Sequence, residues 1–353
     1  MASIKSASNV MSAATVPPLD FAPLHHGGDV AGARALFPGA PEPFLDLSTG
    51  INPNPYPLPR LAPEVFARLP QPSDTEALAK EAARAYRAPS HRHVLPAPGT
   101  QILLTQLARL MPPGSAKILA TTYGEHARAA MLAGHRVMEV TDARDLGDCD
   151  LAIVVNPNNP DGRIVSKETL LDLAGRLRGR GGLLVVDEAF MEVGPADASV
   201  AGDVADGNIV ALRSFGKFFG LAGLRLGFAI GAAELVERLA ASLGPWPVSG
   251  PAIEIGRRAL KDEAWIETTR GDLAKGASRL DALLAEHDLG VAGGTSLFRL
   301  VKTEQAAALH QHLGRAGILV RAFPEHPTLL RFGLPGSQPD WARLQAGLGG
   351  FRR

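Results

Sequence analysis

Two cationic residues eight positions apart, Lys217 and Arg225, lie in a run free of carboxylates, with Ser214 three residues before the lysine. A lysine that is to condense with an aldehyde must keep part of its amine deprotonated, which burial and neighbouring positive charge both favour. The Ser214 hydroxyl and the Arg225 guanidinium suit a dianionic phosphate on the same ligand, because arginine binds phosphate as a fork. Gly216-Lys217 also resembles the end of a nucleotide-binding phosphate loop. That motif needs glycine where Ala211 stands and serine or threonine where Phe218 stands, so it is excluded.

Three further segments supply what such a lysine needs. The apolar run Leu183 to Val186 reads as a buried parallel strand that delivers Asp187 at its C-terminal end, where open α/β sheets bind ligands. An aspartate there can pair with a protonated pyridine nitrogen; a metal-binding Asp187-Glu188 pair is the other functional reading. The run Leu151 to Val155 leads into Asn156-Pro157-Asn158-Asn159-Pro160-Asp161-Gly162, a turn stiffened by two prolines that can present the Asn159 amide to a ring hydroxyl. Pro98-Gly99-Thr100-Gln101 opens a helix whose apolar residues Ile102, Leu103, Leu104, Leu107 and Leu110 recur at helical spacing. Its free backbone N–H groups make an anion site. An aldehyde, a phosphate, a pyridine nitrogen and a ring hydroxyl together describe pyridoxal 5′-phosphate.

In chain order these four pieces resemble the aspartate-aminotransferase-like superfamily of pyridoxal-phosphate enzymes, fold type I, over nearly all of residues 25–335. The resemblance implies an α/β fold: a large domain with a mostly parallel seven-stranded sheet and a smaller α+β domain. It implies that Lys217 carries the cofactor as a Schiff base, that Asp187 pairs the pyridine nitrogen and that Asn159 contacts the ring hydroxyl. Gly99, Thr100, Gln101, Ser214 and Arg225 are then expected around the phosphate. Tyr123, in Thr121-Thr122-Tyr123-Gly124-Glu125-His126, matches the aromatic residue that stacks on the ring. The chain departs from the pattern twice. Phe190 stands where the superfamily often has a tyrosine, and Leu69, before Pro70, where it commonly has a tyrosine reaching the neighbouring subunit.

Leu24-His25-His26-Gly27-Gly28 and Leu47-Ser48-Thr49-Gly50-Ile51-Asn52-Pro53-Asn54-Pro55 are most similar to the branch that decarboxylates L-threonine O-3-phosphate for the aminopropanol linker of cobalamin. Histidinol-phosphate aminotransferases are the near relatives. Both branches handle a phosphorylated substrate. His26, Gly27, Asn52 and Asn159 are expected at the substrate. Arg321 and Arg331, which end two short β-like runs, are expected to hold its phosphate and its carboxylate respectively, since both anions fit a guanidinium. In decarboxylation the carboxylate bond stands perpendicular to the ring, and in transamination the Cα–H bond does.

Composition agrees. Lysine plus arginine equals aspartate plus glutamate at 36 each, so no net charge favours nucleic acid or a membrane surface. A single cysteine, Cys149, allows no intrachain disulfide and suits a reducing cytoplasm. No apolar run approaches the roughly 20 residues of a membrane span, and residues 1–24 read as a flexible tail. A cofactor-binding domain of a transcription regulator shares this fold, yet only about 24 residues precede the first matching motif, fewer than a DNA-binding module needs. The expected organisation is an N-terminal segment over 25–45 packing with the small domain, a large domain over 46–244 and a small domain over 245–353. A homodimer with no metal is expected.

Strands are predicted near 117–121, 151–155, 183–187, 208–212 and 226–230, with helices at 75–88, 99–110, 125–134 and 167–178. A long helical tract over 251–286 and strands near 296–301 and 318–321 complete the reading.

Overall fold

The computed structural model describes residues 26–205 and 207–351; the tail expected over 1–24 and His25 lie outside them. Among the described residues the strands are β1 Leu45–Leu47, β2 Val94–Ala97, β3 Ser115–Leu119, β4 Arg136–Val140, β5 Leu151–Val155, β6 Leu183–Asp187, β7 Ile209–Ser214, β8 Gly227–Ile230, β9 Val291–Thr295, β10 Phe298–Lys302, β11 Ile318–Ala322 and β12 Leu329–Gly333. They form a seven-stranded sheet in the order β2-β8-β7-β6-β5-β3-β4 and a five-stranded sheet in the order β1-β11-β12-β10-β9. In the larger sheet only β8 runs against its neighbours.

The central strands β5 and β6 are buried at every position, as unbroken apolar runs in a parallel sheet must be when both faces are covered. Successive residues point to opposite faces. Ile153 and Val185 join Leu103, Leu104 and Leu107 of the helix Thr100–Leu110 on one side. Val154 and Val186 join Leu170, Leu173 and Leu177 of the helix Lys167–Arg178 on the other, in a core that continues into the smaller sheet through Phe298, Leu330 and Phe332.

The helical tract expected over 251–286 is two helices, Gly250–Lys261 and Glu263–Glu286. Asp262 breaks it, because its carboxylate accepts from the Trp265 N–H and so caps a new helix. The first of the pair packs against the helix Pro72–Tyr86 beside the large sheet. Strands β2 and β4 carry no clear pattern: β2 is a sheet-edge strand that tolerates Pro96, and β4 is an edge strand mostly exposed or half-buried. The N-terminal segment enters the smaller sheet, where β1 pairs in parallel with β11.

Strand register sets up the site. Val155 lies beside Asp187, Asp187 beside Leu212, and both Ser214 and Ala97 beside Gly227. The turns that leave β5, β6, β7 and β2 therefore emerge as one row along a sheet edge.

Candidate active site

At one end of the row, β2 leads through Pro98 to Gly99 and into the helix Thr100–Leu110. Gly99 has φ +85, and a Cβ there would stand 2.7 Å from Nη2 of Arg225. Glycine thus admits both the left-handed turn and the close approach of the guanidinium. No side chain caps the helix start, which leaves its first N–H groups free to meet an anion. Gly227 is equally close, since a Cβ there would lie 2.8 Å from the Thr100 nitrogen. Because Ser214 pairs with Gly227, the structure brings Gly99, Thr100, Gln101, Ser214 and Arg225 together.

Lys217 lies one turn beyond β7, in the short helix Phe215–Phe218. Burial pulls its amine down to about 8, helped by the charges of Arg331 and Arg225 and opposed by Asp187. Its Nζ stands 5.6 Å from the centre of the Phe190 ring. The resemblance puts Asn52 at the substrate, but its amide is engaged elsewhere: Nδ2 donates to the Phe218 carbonyl at 2.9 Å, and Oδ1 accepts from the Asn54 N–H at 2.9 Å. With the Asn52 N–H donating to the Lys217 carbonyl at 2.9 Å, this residue holds the lysine turn in place.

Asp187, at the end of β6, is buried. Its Oδ1 accepts from the Ala189 N–H at 3.0 Å and its Oδ2 from Nε2 of His126 at 2.9 Å. His126 is a residue that sequence reasoning quoted but gave no role; the signal was its place three residues after Tyr123, at the head of the helix Glu125–Leu132. Glu188 points away from Asp187 and accepts from Arg213 Nη1 at 2.8 Å and the Val200 N–H at 2.7 Å. The two carboxylates do not converge, which removes the metal-binding alternative. Among the described residues no group of three or more histidine, cysteine, aspartate or glutamate side chains is disposed to hold a metal ion.

Tyr123 packs edge-on against His126, and its hydroxyl donates to Gln101 Oε1 at 3.0 Å. Burial, with the charges of Glu125 and Asp187 nearby, pushes that hydroxyl up to about 12, so it remains a donor. The turn after β5 is braced against the same loop, since Asn158 Nδ2 donates to the Thr121 carbonyl at 2.9 Å and the Thr122 hydroxyl donates to Asn158 Oδ1 at 2.7 Å.

The smaller sheet brings two arginines over this row. Arg331 donates through Nη1 to Asn159 Oδ1 and through Nη2 to the Ser48 carbonyl at 2.9 Å, while its buried Nε has no partner. Burial, with Arg321 adding to the effect and Asp46 opposing it, lowers Arg331 to about 10. Burial also lowers Arg321 from its ordinary value. Gly27 lies so close to Ser48 that a Cβ would stand 2.4 Å from the Ser48 carbonyl oxygen. His26 reaches across to Glu125, and its ring centre is 5.7 Å from that of Tyr123.

A buried, partly deprotonated lysine, a cradle that a Cβ at Gly99 would fill, and a buried carboxylate held by His126 fit pyridoxal phosphate. Residues 61–344 match the family model of aminotransferase class I and II. The chain belongs to that family. Within reach of it are two relatives named threonine-phosphate decarboxylase. One, from Pseudomonas aeruginosa, is 43% identical over 93% of this chain and 98% of its own length; the other, from Sinorhizobium sp., is 44% identical over 89% and 94%. The structure superposes with a TM-score of 0.80 on histidinol-phosphate aminotransferase from Sinorhizobium meliloti in complex with pyridoxal-5'-phosphate, at 20% identity and covering 96% of this chain and 97% of that one. The fold is therefore fold type I, and the family's cofactor is pyridoxal phosphate.

Proposed function

We propose that the protein is a pyridoxal-phosphate-dependent lyase that converts L-threonine O-3-phosphate into (R)-1-amino-2-propanol phosphate and carbon dioxide. The observation that carries this reading is the 43% identity, over 93% of the chain, to a relative named for that reaction. The product is the phosphorylated aminopropanol that the resemblance assigns to cobalamin assembly.

Lys217 would hold the cofactor aldehyde, Asp187 the pyridine nitrogen, Asn159 the ring hydroxyl, and Gly99, Thr100, Gln101, Ser214 and Arg225 the phosphate, with Tyr123 over the ring. When bound, pyridoxal phosphate supplies an electron sink for the bonding pair that a departing carboxylate leaves at Cα. The chain's own part is orientation. Arg331 offers its unpartnered Nε to the substrate carboxylate, and its bonds to Asn159 and Ser48 fix the guanidinium plane. Arg321, one strand over, would hold the substrate phosphate with His26 and Gly27. As carbon dioxide leaves, Cα takes a proton from Lys217 Nζ or from water; an amine near 8 can give and regain one close to neutral pH.

A homodimer belongs to the same reading. Leu58, Phe66, Leu69 and Trp246 are more than half exposed, a set of large apolar residues that a second subunit would cover. Among the described residues no helix is long and apolar enough to cross a membrane. A cytoplasmic setting is supported by the single cysteine, Cys149, which is buried.

The deciding experiment incubates cofactor-loaded protein with L-threonine O-3-phosphate, and separately with histidinol phosphate plus 2-oxoglutarate. Carbon dioxide from the first mixture without glutamate from the second is the expected result. Glutamate from the second would replace the lyase with an aminotransferase.

A further inference from the structure

Glu125, half-buried at the first position of its helix, gathers three of the residues placed above. Its Oε1 accepts from His26 Nε2 at 3.0 Å and its Oε2 from Gln101 Nε2 at 3.1 Å. Gln101 Oε1 in turn accepts from the Tyr123 hydroxyl at 3.0 Å. A carboxylate beside a site meant for anions works against their binding by simple Coulomb repulsion. Its presence calls for a compensating task, and the direction of its hydrogen bonds supplies one.

An ionised carboxylate only accepts. Gln101 must therefore turn its NH₂ toward Glu125, which leaves its carbonyl oxygen facing Tyr123 and forces the phenol to donate there. His26 must likewise present Nε2–H, which sets the orientation of its ring. The segment that carries His26 is fixed at its other end as well: the Gly28 N–H donates to Ser48 Oγ at 2.7 Å, and the Ser48 carbonyl is the one that receives Arg331. Residues 26–28 thus run from the smaller sheet, at Ser48, to the larger one, at Glu125.

We propose that Glu125 is a positioning residue that latches the His26 segment across the cleft and, through Gln101, fixes Tyr123, so that seating of substrate and of cofactor ring share one carboxylate. This rests on the reading that His26 meets substrate and Tyr123 the ring. It predicts two effects that can be measured apart.

The test compares cofactor-loaded wild type with E125A, E125Q, H26A and the double variant H26A/E125A. Steady-state carbon dioxide release from threonine phosphate separates KM from kcat, and loss of visible absorbance after dilution into a cofactor trap gives the release rate without substrate. E125A should raise KM roughly 3- to 10-fold, a modest effect because His26 is exposed, and H26A should raise it at least as much, since it also removes the substrate contact. The double variant should have a KM no higher than H26A alone, because without His26 the carboxylate has nothing to latch. E125A should also release cofactor several-fold faster, H26A should not, and E125Q, which keeps one acceptor, should fall between. Additive effects on KM, or a release rate in E125A equal to wild type, would overturn the proposal. Should E125A fail to fold, E125Q and H26A carry the same comparison. A wild type that releases no carbon dioxide would sink the lyase reading alone, since cofactor release still tests Glu125.

Discussion

Arg321 and Arg331 stand directly opposite each other across the antiparallel pair of β11 and β12. Two guanidinium groups on facing positions repel, and Arg321 adds to the burial that lowers Arg331 to about 10. Such a pair is relieved by anions, and a substrate that carries a carboxylate and a phosphate brings two. On the proposed assignment, binding of those two anions relieves the repulsion.

If the two arginines divide the anions as proposed, they can be separated with a substrate that lacks one. R331A should lower kcat/KM for threonine phosphate by roughly 30-fold or more, the usual cost of truncating one partner of a buried charged hydrogen bond, while cofactor absorbance is retained. R321A should instead erase the preference for threonine phosphate over plain threonine. Measuring both substrates with both variants decides the assignment; loss of the preference in R331A and not in R321A would reverse it.

Lys217→Ala should abolish turnover and the visible absorbance of the lysine-bound cofactor, because it removes the buried amine proposed to hold the cofactor aldehyde. Cofactor held by the cradle around Gly99 and Arg225 would then absorb as the free aldehyde. Turnover within tenfold of wild type would refute the assignment of the lysine.

Asp187 owes part of its placement to His126, whose ring is buried behind it. H126F removes the Nε2 donor and leaves the carboxylate with only the Ala189 N–H. The expected loss is about 1–3 kcal/mol of stability, from a buried acceptor left short of a donor, together with a lower kcat. D187N should keep some cofactor and lose most activity, because an amide cannot stabilise a protonated pyridine nitrogen. Urea titrations and kcat values for the two variants check this, and an H126F enzyme as stable and as fast as wild type would count against the support role.

Burial of Lys217 also makes the cofactor-free protein sensitive to pH. Between about pH 8 and the usual lysine value of 10.5 the folded protein holds fewer protons at Lys217 than the unfolded chain does. Stability must then rise with pH across that window, by on the order of 3 kcal/mol, and the folded state carries the full penalty below pH 8. Arg331 adds a rise of its own only above about pH 10. K217M should remove the slope between pH 8 and 10 and should be the more stable protein at pH 7. Urea midpoints of the two cofactor-free proteins at three pH values would show it, and parallel curves would exclude Lys217 as the source.

The chemistry of this chain was readable where a local run determined it. Leu183 to Asp187 and Leu151 to Val155 are unbroken apolar stretches, and the residues that follow them fall where a parallel strand must end. The smaller sheet was harder, because β9 contains Gly293 and Gly294 and β1 is three residues long; pairing with β10 and β11, not composition, makes them strands. Hydrogen-bond partners were beyond reach for a different reason. His126 and Asp187 are 61 residues apart, and Asn52 and Phe218 are 166 apart, so only the packed sheet brings them together. The same holds for Asn52, whose amide meets the lysine turn where the motif alone suggested a substrate contact.

Gly99 offers the sharpest test of the phosphate cradle. Its φ of +85 is a conformation that alanine adopts only with strain, and the added methyl would stand 2.7 Å from Arg225 Nη2. Arg225 itself sits at φ 55, at the end of a single helical turn, so its side chain can swing aside more readily than the helix Thr100–Leu110 can shift. G99A should therefore leave the fold intact and displace the guanidinium. The loss of one charged hydrogen-bond partner predicts roughly 10- to 100-fold weaker cofactor affinity. Titration of the cofactor-free variant with pyridoxal phosphate, followed by visible absorbance, measures it. The double variant G99A/R225A should bind no worse than R225A alone, because the methyl acts by removing the arginine; a further loss in the double variant would mean that the methyl also displaces the start of the helix Thr100–Leu110.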